Sequence, residues 1–275
     1  MRLMPRVLFV WLVCSLLCAG CTVWRSTPPL PVRYSVPRGP QLVVNSDFKL
    51  PEQSRLLDDL EQLRGRVSRT LELPVSQKPI QVYLFKSGKL YRRFLKKHFP
   101  DFPKRRAFFV RRQNELAVYA HYSDRVAEDL RHEVSHGYLH SVLRRVPLWL
   151  DEGLAEYFEI PPERNANHTQ HIHELTAALK EAEGNSPWLP DLARLESLGS
   201  AGEMQQMDYA ESWVWVHWLL ETTPQRREAL QDYLRDVRKS GKPRKLSKWL
   251  AQRDIPPDPK QLAEYIRGLS VRSSQ

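Results

Sequence analysis

Cysteine is scarce in this chain and is confined to its beginning. The three cysteines are Cys14, Cys18 and Cys21. A domain formed by the rest of the chain can therefore contain neither a disulfide bond nor a cysteine-ligated metal. Its stability must come from a hydrophobic core, for which the remaining length is sufficient. Any metal ligands must be histidines or carboxylates.

Internal repeats and nucleic-acid-recognition motifs are also absent, although the chain is basic. It has 42 Lys and Arg against 32 Asp and Glu, a net charge of +10. Seven cations cluster toward the C-terminus: Arg235, Arg238, Lys239, Lys242, Arg244, Lys245 and Lys248. This segment predicts a solvated basic face, with contact to an anionic envelope polymer or lipid, or preference for an acidic substrate, as alternatives. We expect no nucleic-acid partner.

The first twenty residues have the pattern of an export signal. Arg2 and Arg6 precede an apolar run, Val7–Leu17, that is too short to span a bilayer comfortably. The run ends in Cys18-Ala19-Gly20-Cys21, which resembles a bacterial lipobox, although leucine is more usual than Cys18 at its position. The pattern predicts a signal peptide over 1–20 and lipidation of Cys21. An uncleaved N-terminal anchor is the alternative.

Lipidation would place the protein in the bacterial cell envelope, facing the periplasm. Thr22, rather than aspartate, follows Cys21 and favours the outer membrane. Residues 21–40 are rich in proline and predict an extended tether with little fixed structure. One domain over 41–270 fits the remaining length.

The most informative stretch is His132-Glu133-Val134-Ser135-His136. Residues four apart share a face of an α-helix, so two imidazoles at this spacing can hold one Zn²⁺ and the glutamate can act as a general base. Glu152, in the next predicted helix, can supply a third ligand and leave the fourth position open for water. The alternative is a helix that carries these residues only for solubility.

The motif lies in a well-formed helix. Ser123 or Asp124 can cap its start, and Pro147 ends it near Arg144 or Arg145. A short turn then leads to a second helix over about Asp151–Phe158. The first helix has an apolar stripe formed by Val126, Leu130, Val134, Tyr138 and Val142. Because the link is short, the two helices must be neighbours.

These residues resemble known proteins. The H-E-x-x-H motif with a later glutamate resembles the gluzincin metallopeptidases. Leu148-Trp149-Leu150-Asp151-Glu152-Gly153-Leu154-Ala155-Glu156-Tyr157-Phe158 is similar to the phrase found in the bacterial peptidase-MA-like family DUF1570. The resemblance implies one Zn²⁺ with His132, His136 and Glu152 as ligands and Glu133 as the base. No G-x-M-E-N stretch, which aminopeptidases of this clan use to hold a free amino terminus, is present.

Two further roles are implied by the same resemblance. Glu156, one turn beyond Glu152, is expected to orient a ligating histidine, with a solvent-facing glutamate as the alternative. Tyr209, in a segment similar to that in which gluzincins place an oxyanion-stabilising tyrosine, is the catalytic candidate. A tyrosine packed at a helix start is its alternative, and Tyr157 and Tyr138 are weaker candidates.

The predicted fold is α+β and zincin-like: a small N-terminal mixed sheet, the zinc-site helix pair and a helical C-terminal half. Strands are predicted at Leu42–Val44, Ile80–Phe85, Ala107–Val110 and Glu115–Ala120, and helices over Glu52–Leu71, Ser87–His98, Thr169–Ala182, Asp208–Glu221, Gln225–Arg238 and Pro259–Gly268. The resemblance implies that Glu115–Ala120 is the edge strand over the cleft, able to pair with an extended peptide. A plain packed hairpin is the alternative. Trp213, Trp215 and Trp218 are expected in the core.

The remaining histidines give weaker signals. His168, His171 and His173 predict a histidine-rich surface loop, with a second metal site as the alternative. His140 lies a further helical turn from His136, about 5.4 Å along the axis, too far to share its ion.

These patterns together predict an exported, lipid-anchored zinc metallopeptidase that cleaves peptide bonds by Glu-assisted attack of zinc-bound water. Its substrate would be a peptide or protein, with endopeptidase favoured over aminopeptidase action. The alternatives are a non-catalytic envelope scaffold that keeps the fold, and hydrolysis of a non-peptide amide in the cell wall.

Overall fold

The strands in the N-terminal half of the described chain form one mixed five-stranded sheet. The computed structural model describes residues 29–51, 54–102, 104–113, 115–181 and 188–273. Within these ranges the strands are β1 (Tyr34–Arg38), β2 (Leu42–Ser46), β3 (Ile80–Phe85), β4 (Ala107–Arg112) and β5 (Glu115–His121). The order across the sheet is β1-β2-β3-β5-β4. β2, β3 and β5 run parallel, and the edge strands β1 and β4 are antiparallel to their neighbours.

The strand patterns follow from burial. β3 buries Ile80, Val82 and Leu84 on one face, so its alternation predicts its bounds correctly. In β5 five consecutive residues, Leu116–Ala120, are buried. A run buried on both faces is typical of a central strand.

The prediction that Glu115–Ala120 is the edge strand is therefore wrong, because β5 lies between β3 and β4. β4 occupies the edge instead. Phe109 of β4 stacks on the His140 ring with 5.5 Å between ring centroids, which sets this strand beside the helix that carries the H-E-x-x-H motif.

The tether prediction also needs correction, because Tyr34–Arg38 pairs with β2 along its whole length. Pro37 is compatible with this strand since β1 lies at the edge of the sheet, where a missing N–H costs no ladder bond. The predicted signal peptide, lipidation site Cys21 and first part of the tether, to residue 28, lie outside the described residues.

Helices dominate the rest of the described chain, which confirms the α+β class. Their bounds are α1 (Arg55–Leu71), α2 (Gly88–His98), α3 (Val126–Val142), α4 (Leu148–Glu159), α5 (Thr169–Glu181), α6 (Leu192–Leu195), α7 (Gln206–Glu221), α8 (Pro224–Ser240), α9 (Leu246–Ala251) and α10 (Pro259–Ser273). None of these described helices combines the length and apolar character that crossing a bilayer requires.

Two glycines allow the helices around the motif to pack closely on their neighbours. A Cβ atom on Gly137 of α3 would lie 3.0 Å from Ile80 Cγ2 of β3, so α3 packs closely on the sheet. A Cβ on Gly153 of α4 would lie 2.5 Å from the carbonyl oxygen of Ser212 in α7. The α7 tryptophans Trp213, Trp215 and Trp218 are fully buried, as predicted, and α7 is the central helix against which α4 packs.

Candidate metal centre

The motif helix and its successor differ slightly from their predicted bounds. α3 begins after Arg125, so neither Ser123 nor Asp124 is its N-cap. α4 begins at Leu148 rather than near Asp151, because Pro147 is its N-cap and the Pro147 carbonyl accepts hydrogen bonds from the N–H groups of Leu150 and Asp151. Pro147 thus also opens the second helix, which gives α4 an additional turn before Glu152.

Three side chains from these helices converge. His132 Nε2 and His136 Nε2 lie 3.3 Å apart, and Glu152 Oε2 lies 3.5 Å from the first and 3.6 Å from the second. An ion bound tetrahedrally at 2.0–2.2 Å separates its ligand atoms by about 3.3–3.6 Å. The three edges therefore match a metal-ligand triangle, and these side chains could hold a metal ion.

The chemistry of the donor set supports the same fit. Glu152 Oε2 is buried and receives no hydrogen bond from any described residue. An unsatisfied buried carboxylate oxygen is costly, and a cation at the common point of the triangle would satisfy it. Two imidazoles and one carboxylate form a typical donor set for zinc or a similar divalent ion.

Further carboxylates contact the far side of each imidazole. His132 Nδ1 lies 3.0 Å from Glu159 Oε2, and His136 Nδ1 lies 3.3 Å from Asp151 Oδ1. Asp151 Oδ2 in turn accepts from His140 Nε2 at 2.8 Å. The Glu159 contact is a hydrogen bond of the kind that fixes a ring so that Nε2 is presented to a metal, whereas Asp151 lies behind His136 without forming a hydrogen bond to it. His140 therefore contacts Asp151, the carboxylate behind His136, and stands outside the triangle.

Charge coupling is strong within this buried group. Burial lowers the pKa of His136, but Asp151 and Glu152 outweigh it and raise the value to about 10. Burial likewise lowers the pKa of His132, while Glu152 and Glu159 raise it well above its ordinary value. The Glu152 pKa falls to about 2, because the two imidazoles outweigh the effect of burial. A metal ion entering the triangle must displace protons from both rings.

Glu133 and Tyr209 line the same cleft, which has a volume of about 440 Å³ and also exposes His132. Burial raises the pKa of the Glu133 carboxyl, although the neighbouring His132 and His136 lower it. The Tyr209 hydroxyl accepts a hydrogen bond from Arg105 Nη2 at 2.7 Å. The weaker tyrosine candidates bond elsewhere: Tyr138 donates to the Leu60 carbonyl and Tyr157 to Glu221.

A family match covers this arrangement of two histidines, a neighbouring glutamate and a third ligand in the following helix. Residues 127–243 match the family model DUF1570, a protein of unknown function. The DUF1570 match begins in the first turn of α3 and ends just after α8. It thus contains the whole metal triangle, Glu133 and Tyr209. No curated protein matches the chain.

Within the DUF1570 region, a second cluster corrects the prediction for the later histidines. His168 and His171 are buried rather than in a surface loop, and their rings stack at 3.6 Å. His168 Nε2 lies 2.9 Å from Glu159 Oε1, and His171 Nε2 lies 2.9 Å from Glu156 Oε2. Of the three histidines that were predicted to lie in a surface loop, only His173 is exposed.

The distances distinguish this cluster from the triangle. Glu156, His168 and His171 could also hold a metal ion by composition. However, His171 lies 2.9 Å from Glu156, the usual length of a hydrogen bond, and His168 lies 3.5 Å from Glu156 but 2.9 Å from Glu159, outside this group. Every edge of the triangle is 3.3 Å or longer. We therefore interpret the second cluster as a hydrogen-bonded network in the wall of the cleft.

This network assigns the carboxylate behind His132 to a residue that the sequence did not suggest. Glu156, the predicted orienting group, lies 3.9 Å from His132 Nδ1, whereas Glu159 lies at hydrogen-bond distance. Glu159 comes two helical turns after Glu152 and so lies on the same face of α4. That spacing is the sequence signal that could have identified it.

Glu159→Gln should weaken metal binding more than Glu156→Gln does. Removing the carboxylate behind a ligating histidine typically lowers metal affinity about 10–100-fold, and we expect this loss for Glu159→Gln in a zinc titration with a competing chelator. Glu163→Gln, at an exposed glutamate just beyond α4, is the matched control. Equal affinities for the Glu159 and Glu163 variants would contradict the role of Glu159.

Proposed function

We propose that this protein is a gluzincin-type zinc metallopeptidase. The observation that carries the proposal is the triangle of 3.3–3.6 Å edges formed by His132, His136 and Glu152, beside a cleft that Glu133 also lines. A metal triangle by itself supports only metal binding. The buried glutamate between the two histidines supports hydrolysis, because a general base is the group that a structural metal site does not need.

The chain's own residues can perform the steps of amide hydrolysis. A bound Zn²⁺ would polarise the scissile carbonyl and lower the pKa of water at its open position. Glu133 would accept a proton from the attacking water and return it to the leaving amine. A proton-transfer group works best when its pKa approaches the working pH, and burial shifts the Glu133 pKa in that direction.

Tyr209 is proposed to stabilise the oxyanion. Its hydroxyl accepts from Arg105, which leaves the phenolic proton available for donation to a developing negative charge. The Arg105 cation beside it favours the same charge. Endopeptidase action is favoured because the chain has no G-x-M-E-N stretch.

The proposed place of action is the bacterial cell envelope. The support is the export-signal pattern of residues 1–20 and the lipobox-like Cys21, which would anchor the domain to a membrane facing the periplasm. The basic C-terminal segment adds a surface for an anionic envelope polymer. Two of its cations also make internal ion pairs, Arg235 with Glu72 and Arg244 with Asp236.

Metal content provides the first test. Full-length protein purified in detergent and dialysed against zinc should hold one ion per chain by elemental analysis. His136→Ala removes one corner of the triangle and should reduce the content to nearly zero, since two remaining ligands hold zinc weakly. His173→Ala, at an exposed histidine of α5, should retain the full ion.

Hydrolysis is then tested with a peptide library and with cell-wall amides on the zinc-loaded protein. Cleavage of peptides that is lost on chelation supports the peptidase. Cleavage of cell-wall amides alone would keep the hydrolase but show that its substrate is a cell-wall amide and not a peptide. Metal binding without any hydrolysis would indicate a non-catalytic envelope scaffold.

A further inference from the structure

Few apolar side chains line the cleft beside the metal centre. Among the described residues that form it, Ala107 is the only one with a purely aliphatic side chain, and Tyr209 is the only phenol or phenyl ring. Clefts that select bulky apolar side chains are lined mainly by hydrophobic and aromatic residues. The side chains of this cleft therefore favour selection by charge and hydrogen bonds over selection of a bulky apolar group.

Four cations line the cleft, and two of them are already paired. Arg106 forms a two-pronged ion pair with Asp129, with N–O distances of 2.7–3.0 Å, and Arg125 pairs with Glu128. Neither Lys104 nor Arg105 has a carboxylate at ion-pair distance within the described part of the chain, and Arg105 instead donates to the neutral hydroxyl of Tyr209.

Several carboxylates in and beside the cleft face histidines, and Glu133 also lines it. Glu156 and Glu159 are hydrogen-bonded to His171 and His168. Glu152 faces the two ligating imidazoles. Lys104 and Arg105 are therefore the two cations of the cleft without an ion-pair partner among the described residues, and both belong to the segment that leads into edge strand β4.

We propose that Lys104 and Arg105 form a carboxylate-binding subsite, so that the preferred substrate carries an anionic group beside the scissile bond. This inference rests on the proposed hydrolase function and adds a substrate class to it. Arg105 presents five N–H donors in a planar fork that matches a carboxylate. One of its terminal nitrogens bonds to Tyr209, and the same guanidinium thus links the subsite to the candidate oxyanion group.

Peptide binding to a zinc-loaded Glu133→Gln protein tests the subsite without turnover. Three fluorescent probes differ in one feature: acetyl-Ala-Ala-Glu-Ala-Ala-amide, its glutamine counterpart, and the glutamine peptide with a free C-terminal acid. We expect at least one acid to bind about tenfold more tightly than the neutral peptide, the usual worth of a charge-assisted hydrogen bond. The glutamate and free-acid probes distinguish a side-chain carboxylate from a C-terminal one.

Adding Arg105→Gln should abolish the preference for the acid, and Arg105→Lys should restore part of it. Arg125→Gln is the matched control, because it removes the same charge from the same cleft, but from a cation that already has a partner. The Arg125→Gln protein should still bind the acidic probes more tightly than the neutral one. Equal binding of all three probes, or no binding of any, would overturn the subsite.

The subsite and the hydrolase proposal can fail separately. Zinc-dependent hydrolysis that is equally fast for neutral and acidic peptides would refute the subsite and leave the hydrolase intact. Arg105-dependent binding of an acid by a protein that hydrolyses nothing would retain the subsite and refute the hydrolase.

Discussion

Glu133→Gln is expected to lower turnover by about 10²–10⁴-fold, the usual contribution of a positioned general base, while leaving the zinc content at one ion per chain. Glutamine has nearly the shape of glutamate, and Glu133 is not one of the three converging ligand residues. Its amide cannot accept a proton from water at neutral pH. The loss should therefore appear in kcat, because the substituted group acts on the reaction and not on binding.

The measurement compares kcat, KM and zinc content for the wild type, Glu133→Gln and a control at an exposed glutamate, Glu264→Gln in α10. The control should match the wild type in all three. Undiminished kcat in the Glu133 variant would refute its role as base. Loss of zinc together with kcat would instead indicate that Glu133 supports the metal site.

Gly153→Ala is expected to destabilise the fold by about 3 kcal/mol or more, at the upper end of the cost of overpacking. The added Cβ would lie 2.5 Å from the Ser212 carbonyl oxygen, 2.8 Å from its carbon and 3.0 Å from Val216 Cγ2. Two of these atoms are backbone and cannot rotate away. Relief requires α4 to move from α7, and since Glu152 precedes Gly153 directly, zinc affinity should fall as well.

Urea unfolding measures the first effect, and zinc titration of the folded fraction measures the second. Gly268→Ala in α10 is the matched control, because its added Cβ would meet no described atom within 4 Å beyond its chain neighbours and the backbone of its own helix. A helical glycine changed to alanine without a clash should stabilise by about 0.5–1 kcal/mol. An unchanged urea midpoint for Gly153→Ala would contradict the close packing of α4 on α7.

Local patterns predicted those parts of the molecule that depend on one segment. The alternation of Ile80–Phe85 gives β3 its bounds. The four-residue spacing of His132 and His136 puts both rings on one face of α3, where their Nε2 atoms lie 3.3 Å apart. Glu152 joins them because a short link leaves its helix few other places to lie.

Features that depend on the order of elements in space were harder to predict. A hairpin pattern at β4 and β5 does not say which strand lies outside, although the continuous apolar run of β5 was a usable signal. The burial of His168 and His171 depends on α5 packing beside the end of α4, and no local periodicity encodes such a contact. Pro37 suggested a tether because proline favours extended backbone. An edge strand is extended as well, so the residue type does not distinguish the two.

The convergence of α3 and α4 on one point has a consequence for a domain that has no cysteines. A cation held by both helices would act as a non-covalent cross-link between segments that only a short, proline-containing link otherwise joins. Because the unfolded chain does not preform such a site, the free energy of ion binding adds to the free energy of folding. The supply of that ion would then set how long the folded domain persists.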